Sequence, residues 1–267
     1  MAEPHVKGYQ IIDLIGTGAG SEVYKGRQMA TGEMMALKIV RRGGPDSSRL
    51  FAQITNEYRV ARAWTHPSLV RLHELVVERL LLWRLQVALA MEYVPGETLG
   101  GSRLTVVQIL SHYRQLAEAM LYMHQHGFIH LDMKPQNVMV TPDDDVRIMD
   151  FGLCTRKGQY NARVQGTPDF MAPEQMRKGW VDERTDIYNL GATMYHVITG
   201  KSVQMTLTSR NGVAGEASVT SNTFQSLNTE IPEELESLIL ECCRPSPAER
   251  PATMERVIER LDRIATG

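Results

Sequence analysis

The run Ile129-His130-Leu131-Asp132-Met133-Lys134-Pro135-Gln136-Asn137-Val138 places a carboxylate, an ammonium and an amide within six residues, and a second carboxylate follows thirteen residues after Asn137 in Asp150-Phe151-Gly152. A carboxylate can orient a hydroxyl nucleophile and accept its proton, and a lysine can follow negative charge on a transferring group. An amide oxygen together with a carboxylate can hold a divalent metal on phosphate oxygens. The chemistry that this set suits is phosphoryl transfer.

Side chains with such tasks have to be held by regular elements, and the chain offers them in order. Ile15-Gly16-Thr17-Gly18-Ala19-Gly20-Ser21-Glu22-Val23-Tyr24 lies between two strand-like runs, 9–15 and 22–26. Glycines there let backbone N–H groups close over phosphates with no Cβ in the way. The turn of an ordinary β-hairpin would read the same way. The segment lacks the Gly-Lys-Ser/Thr ending of a P-loop, and no helical pattern follows it as a dinucleotide-binding fold requires. Met35-Ala36-Leu37-Lys38-Ile39-Val40 alternates like a strand and carries a single cation. A lysine in an apolar run calls for an anionic partner. Glu57 is a candidate, set among Phe51, Ile54, Tyr58, Val60, Ala61 and Trp64, whose spacing predicts an amphipathic helix. Taken singly, each could instead be a solvated charge.

His66-Pro67 ends that pattern, and 69–72 and 85–91 read as further strands of a small antiparallel sheet. Met91-Glu92-Tyr93-Val94-Pro95-Gly96 then breaks into a linker. The second half is mainly helical: Ile109, Leu110, Tyr113, Leu116, Ala117, Met120, Leu121 and Met123 form one stripe, and Ile187, Leu190, Gly191, Met194, Tyr195 and Ile198 another that Gly200 stops. Shorter amphipathic helices are predicted over 232–243 and 252–264. Strands followed by a helix-rich remainder point to an α+β fold with two lobes and a cleft, not to an alternating βα repeat.

Composition narrows the classes. The 267 residues suffice for one unit of this kind and leave little room for a second domain. A formal net charge of -2 offers no basic field for nucleic acid. Three cysteines, Cys154, Cys242 and Cys243, are too few and too poorly spaced for a disulfide framework or a zinc site, which fits a reducing cytoplasm. No secretory leader is evident at the start, and no run approaches the roughly 18 apolar residues of a membrane span.

Taken together, Gly16/Gly18, Lys38, Glu57, Asp132/Lys134/Asn137, Asp150 and Glu174/Arg250 resemble the catalytic domain of eukaryotic-type Ser/Thr protein kinases, over about residues 9–265. Short loops and Ala172-Pro173-Glu174-Gln175 are similar to the bacterial, Hanks-type members of that family. The resemblance implies a bilobal fold. Residues 1–94 would form a small N-lobe with a five-stranded antiparallel sheet and one helix. Residues 95–267 would form a larger helical C-lobe with an activation segment at 150–174. It implies ATP as phosphoryl donor, with magnesium, or manganese in its place, held by Asn137 and Asp150. Asp132 would be the catalytic base, Lys134 would offset charge on the γ-phosphoryl, and Lys38 braced by Glu57 would grip the α and β phosphates. Ile15, Gly16, Gly18, Val23, Ala36, Met91, Glu92, Val94 and Met139 would hold the nucleotide, with Met91 as gatekeeper and the backbone of 92–94 on the adenine edge. Met91 could equally be core filler.

By the same resemblance, Thr167 lies beside the catalytic Asp and Lys, Glu174 pairs with Arg250, and Asp186 caps the catalytic loop through backbone N–H groups. Partners would be a protein substrate, the chain itself included, without nucleic acid; a homodimer or a regulatory partner stays open. The setting would be cytoplasmic, alone or as the cytoplasmic part of a longer membrane-anchored protein. Three departures stand out. Ser21 replaces the third glycine, with Gly20 one residue early. Leu131 replaces the arginine that would read an activation-segment phosphate. Residues 201–230 form a polar stretch, expected to be an irregular loop, where kinases often carry a docking helix. The rival functions are a catalytically silent binding or scaffold module with the same fold, and a kinase acting on a small molecule. Ala172-Pro173-Glu174, which serves a protein-substrate groove in the family, speaks against the latter.

Overall fold

The computed structural model describes residues 4–18, 20–43, 46–80, 83–100, 104–203 and 231–266. Of the polar stretch 201–230, all but the first three residues lie outside these. The chain divides into two compact units, one of residues 1–95 together with Asp150–Gly152, the other of 96–149 and 153–267.

The first unit is built on five antiparallel strands: β1 (Tyr9–Thr17), β2 (Glu22–Gln28), β3 (Met34–Arg41), β4 (Leu72–Leu80) and β5 (Trp83–Glu92), in the order β1-β2-β3-β5-β4. Alternation along β3 divides its side chains between two faces. Met35, Leu37 and Ile39 join Val6, Tyr9, Ala88 and Ala90 in one apolar cluster. Ala36 and Lys38 point the other way. Opposite them stand Val23 and Lys25 on β2 and Leu89 and Met91 on β5. Helix α1 (Ser47–Ala61) turns Phe51, Ile54, Glu57, Val60 and Ala61 inward at helical spacing.

Two boundaries differ from the sequence expectation. The strand expected at 69–72 begins only at Leu72 and runs on to Leu80. Leu69 and Val70 are buried in the turn that leads into it. The strand itself was hidden by His73, Glu74, Glu78 and Arg79, polar residues suited to a strand at the edge of a sheet. Helix α1 also stops before Trp64, which is buried after the helix with its ring edge-on to Phe151, 5.4 Å between centroids.

The second unit is mostly helical: α2 (Val106–Gln125), α3 (Pro173–Met176), α4 (Glu183–Thr199), α5 (Glu233–Cys242) and α6 (Met254–Thr266). Helix α2 begins at Thr105, whose side chain accepts from the Gln108 N–H while the Gln108 side chain returns to Thr105, a reciprocal cap. Helix α4 ends at Gly200 in a left-handed conformation, φ 68°, as the stop signal predicted. Small strand pairs position the loops between the helices. Phe128–Ile129 pairs with Thr155–Arg156, and Gln159–Tyr160 with Trp180–Val181. Val138–Val140 pairs with both Glu97–Thr98 and Val146–Ile148. Among the described residues no helix is long and apolar enough to cross a membrane.

Candidate active site

In the first unit, the β1–β2 hairpin brings Gly16 opposite Val23, and Val23 in turn opposite Lys38 on β3. The Gly18 N–H donates to the Ser21 carbonyl at 2.8 Å, and Gly20 adopts φ 88°. A Cβ at Gly20 would lie 2.4 Å from the Leu50 side chain. The displaced glycine is therefore favoured by its own backbone, and any larger residue would also displace the Leu50 side chain. At Gly16 the nearest atom to an added Cβ is Val23 at 3.8 Å, ordinary contact, so the protein itself does not demand glycine there.

Lys38 Nζ donates to Glu57 Oε2 and to Asp150 Oδ1, each at 2.9 Å. The spacing suggested the first partner; the second emerges only in the folded unit. Burial lowers the Lys38 pKa, but the carboxylates of Glu57 and Asp150 outweigh it, so the ammonium sits above the ordinary lysine range and stays charged at neutral pH. Burial is also the largest influence on Glu57 and pushes its carboxyl up against the opposing pull of Lys38. The other Glu57 oxygen accepts the Phe151 N–H at 3.2 Å, which ties α1 to the Asp150-Phe151-Gly152 motif. Asp150 holds φ 64°, a left-handed conformation that costs a non-glycine residue about 1–2 kcal/mol. Ala36 and Met91 are buried opposite each other across β3 and β5, and Ile15 is largely exposed. Glu92 closes β5, with Val94 two residues beyond it.

In the second unit, the loop after Ile129 is held from beneath by α4. Asp186, fully buried, accepts the His130 N–H at 2.8 Å and the Leu131 N–H at 2.9 Å, and is bonded to the His124 ring at 2.8 Å. Leu131, at φ 68°, owes its left-handed turn to this anchoring. Its side chain packs with Ile129 and Val181, and Leu153 lies against them. Beyond the turn, Asp132 Oδ1 accepts both the backbone N–H and the hydroxyl of Thr167, each at 2.9 Å. Lys134 Nζ donates to Asp132 Oδ2 at 2.9 Å and to the Thr167 hydroxyl oxygen at 2.7 Å. Asn137, in the 3₁₀ turn that Pro135 starts, donates to the Asp132 carbonyl at 2.8 Å. Met139 follows on the short strand Val138–Val140, partly buried.

Within the segment 153–174, backbone pairing holds Thr155–Arg156 and Gln159–Tyr160. Arg156 lies over the Phe128 ring, and Lys157 reaches Glu183 at 2.8 Å. Its exposed run 156–159 thus carries hydrogen bonds as well as charge. Glu174 and Arg250 form a two-pronged ion pair, 2.7 and 2.9 Å, with the guanidinium fully buried and three backbone carbonyls completing its bonds. Sequence inspection did not single out Gln175, Asn189 or Thr193. Each is buried and hydrogen-bonded to the loops around Asp132. A signal existed: polar residues at 186, 189 and 193 repeat at helical spacing among the apolar residues of 187–195, and buried polar groups need partners.

Residues 9–260 match the family model described as "Protein kinase domain". The chain is 27% identical over 269 residues to a "Probable serine/threonine-protein kinase" of Clostridium acetobutylicum, covering 96% of this chain and 40% of that protein. It is 30% identical over 209 residues to the serine/threonine-protein kinase PknB of Mycobacterium leprae, covering 74% and 33%. It is also 30% identical over 254 residues to the "Inactive serine/threonine-protein kinase PLK5" of Mus musculus, covering 90% and 40%. The chain thus spans well under half the length of these relatives. With a match across most of its length, it belongs to the protein kinase family.

Proposed function

We propose that this chain transfers the γ-phosphoryl group of ATP to Ser or Thr hydroxyls of proteins, itself included. The observation that carries the proposal is the Asp132 carboxylate, one oxygen taken by Thr167 and the other by Lys134. A base so held can orient an acceptor hydroxyl and take its proton while that oxygen bonds to the γ-phosphorus and the bond to the departing ADP breaks. Lys134 offsets charge on the transferring group, and Lys38, kept in place by Glu57, binds the α and β phosphates.

Asn137 and Asp150 would be the metal-holding residues. Their oxygens suit magnesium, or manganese in its place. Magnesium is commonly held by one or two carboxylates plus phosphate oxygens, and among the described residues no cluster of three or more His, Cys, Asp or Glu forms a metal cage of protein groups alone. When bound, the metal supplies charge neutralisation on the phosphates. Gly16 and Gly18 close backbone over the phosphates. Ile15, Val23, Ala36 and Met139 would contact the adenine, Met91 would limit its pocket, and the backbone of Glu92 and Val94 would read its edge. Residues 1–94 serve as the N-lobe, 95–267 as the C-lobe, and 150–174 as the activation segment. Three buried cysteines, in no disulfide among the described residues, accord with work in the cytoplasm, alone or as the cytoplasmic part of a longer membrane-anchored protein.

A relative named as inactive makes the scaffold alternative worth separating by experiment. Transfer from labelled ATP with magnesium, to the chain itself and to a generic protein, is compared for wild type, Asp132→Asn and Asp150→Ala. Each variant is expected to lose at least about 10²-fold in turnover, with nucleotide binding better retained in Asp132→Asn. Transfer by Asp132→Asn equal to that of wild type would overturn the assignment of the base, and no transfer by wild type would favour the scaffold.

A further inference from the structure

Gln175, the residue after Ala172-Pro173-Glu174, is fully buried, and all four hydrogen-bonding positions of its amide are used. Its Nε2 donates to the Leu131 carbonyl at 2.8 Å and to the Gln165 carbonyl at 3.4 Å. Its Oε1 accepts the Ala172 N–H at 3.0 Å and an Asn189 Nδ2 hydrogen at 2.9 Å. The orientation of the amide is unambiguous, because two carbonyls require the NH₂ end and a backbone N–H requires the oxygen. Asn189, from α4, also donates to the Phe170 carbonyl at 2.7 Å.

The two carbonyls that Gln175 holds are well placed to affect chemistry. Leu131 directly precedes Asp132. Gln165 stands two residues before Thr167, with Gly166 between them at φ 123°, where an added Cβ would lie 3.2 Å from the Leu131 oxygen. One side chain therefore holds two stretches of backbone, one running directly into Asp132 and the other through Gly166 into Thr167, and those two residues bond to each other. We infer that Gln175 is a positioning residue for phosphoryl transfer, holding the Leu131 and Gln165 peptides so that Thr167 meets the Asp132 carboxylate. The inference rests on the kinase reading above for its catalytic consequence, and on geometry alone for the contact itself.

Gln175→Met keeps the volume and removes every hydrogen bond of the side-chain amide. Assayed well below its own unfolding temperature, it is expected to show kcat at least about tenfold lower with the KM for ATP within about twofold. Amide exchange in a peptide containing Thr167 should accelerate by about tenfold or more. Asn189→Ala, which removes one of the two donors to Gln175 Oε1, should show the same pattern at smaller amplitude, and it carries the comparison if Gln175→Met does not fold. A role confined to stability would lower the unfolding temperature and leave kcat and the Thr167 exchange at wild-type values; that result overturns the inference. If the wild type transfers no phosphate, the kinase reading falls, whereas unchanged Thr167 exchange in the variants defeats the positioning role by itself.

Discussion

Thr167 places two hydrogens, from its backbone N–H and its hydroxyl, on the same oxygen of Asp132, each at 2.9 Å. Because Lys134 bonds both to the other Asp132 oxygen and to that hydroxyl, the threonine closes a three-residue ring around the carboxylate. Thr167→Val keeps the shape and the N–H but removes the hydroxyl. It is expected to lower kcat by about tenfold or more, with Thr167→Ser near wild type. Steady-state phosphotransfer decides this, and equal loss in both variants would point to packing instead of the hydroxyl.

At the other cluster, Lys38 serves two carboxylates, and the variants are expected to rank. Lys38→Met removes the cation proposed to bind the phosphates and leaves buried Glu57 without its ammonium partner, so it should lose the most ATP-dependent turnover, at least about 10²-fold. Glu57→Ala leaves Lys38 with Asp150 and should lose less. ATP titrations of both variants test the order. Unchanged kinetics in both would mean that the ion pair has no part in nucleotide use.

Activity is expected not to require phosphate on Thr155, Tyr160 or Thr167. Leu131 cannot bind a phosphate, and it lies in an apolar cluster. The segment is held instead by the pairing of Thr155–Arg156 with Phe128–Ile129 and by Lys157–Glu183. Phosphatase-treated enzyme, with its state confirmed by mass spectrometry, should retain kcat/KM within about tenfold of modified enzyme, a difference under about 1.4 kcal/mol. A larger loss, restored by rephosphorylation, would contradict this.

Acid should unfold the second unit partly through Asp186. Burial pushes its carboxyl up, but the His124 hydrogen bond, the nearby His130 ring and the Leu131 N–H outweigh it and hold the group below the ordinary aspartate value of 3.8. The folded state then binds this proton less readily than the unfolded chain. The stability that the carboxylate contributes is complete above that ordinary value and is lost as pH falls through the folded one. Asp186→Asn is expected to cost on the order of 3 kcal/mol near neutrality and to flatten the acid limb. Urea unfolding across acidic pH measures both, and parallel acid limbs in the two proteins would rule out Asp186 as a source of the acid sensitivity.

The sequence by itself determined which groups this protein brings to its proposed chemistry and most of the elements that carry them. Asp132, Lys134, Asn137 and Asp150 were recognisable because their types and spacing are short-range facts. The helices α2 and α4 and strand β3 were legible because a buried face imprints its period on the residues. The edge strand Leu72–Leu80 was not, since its polar residues answer to its place at the edge of the sheet. Tertiary structure alone decided that Lys38 serves Asp150 as well as Glu57, and that Asp186 sustains the left-handed turn at Leu131. It also decided that Gln175 joins peptides 131 and 165. Each of these relations links residues far apart in the chain through a hydrogen bond whose existence depends on packing to within a few tenths of an ångström, and no local pattern encodes that distance.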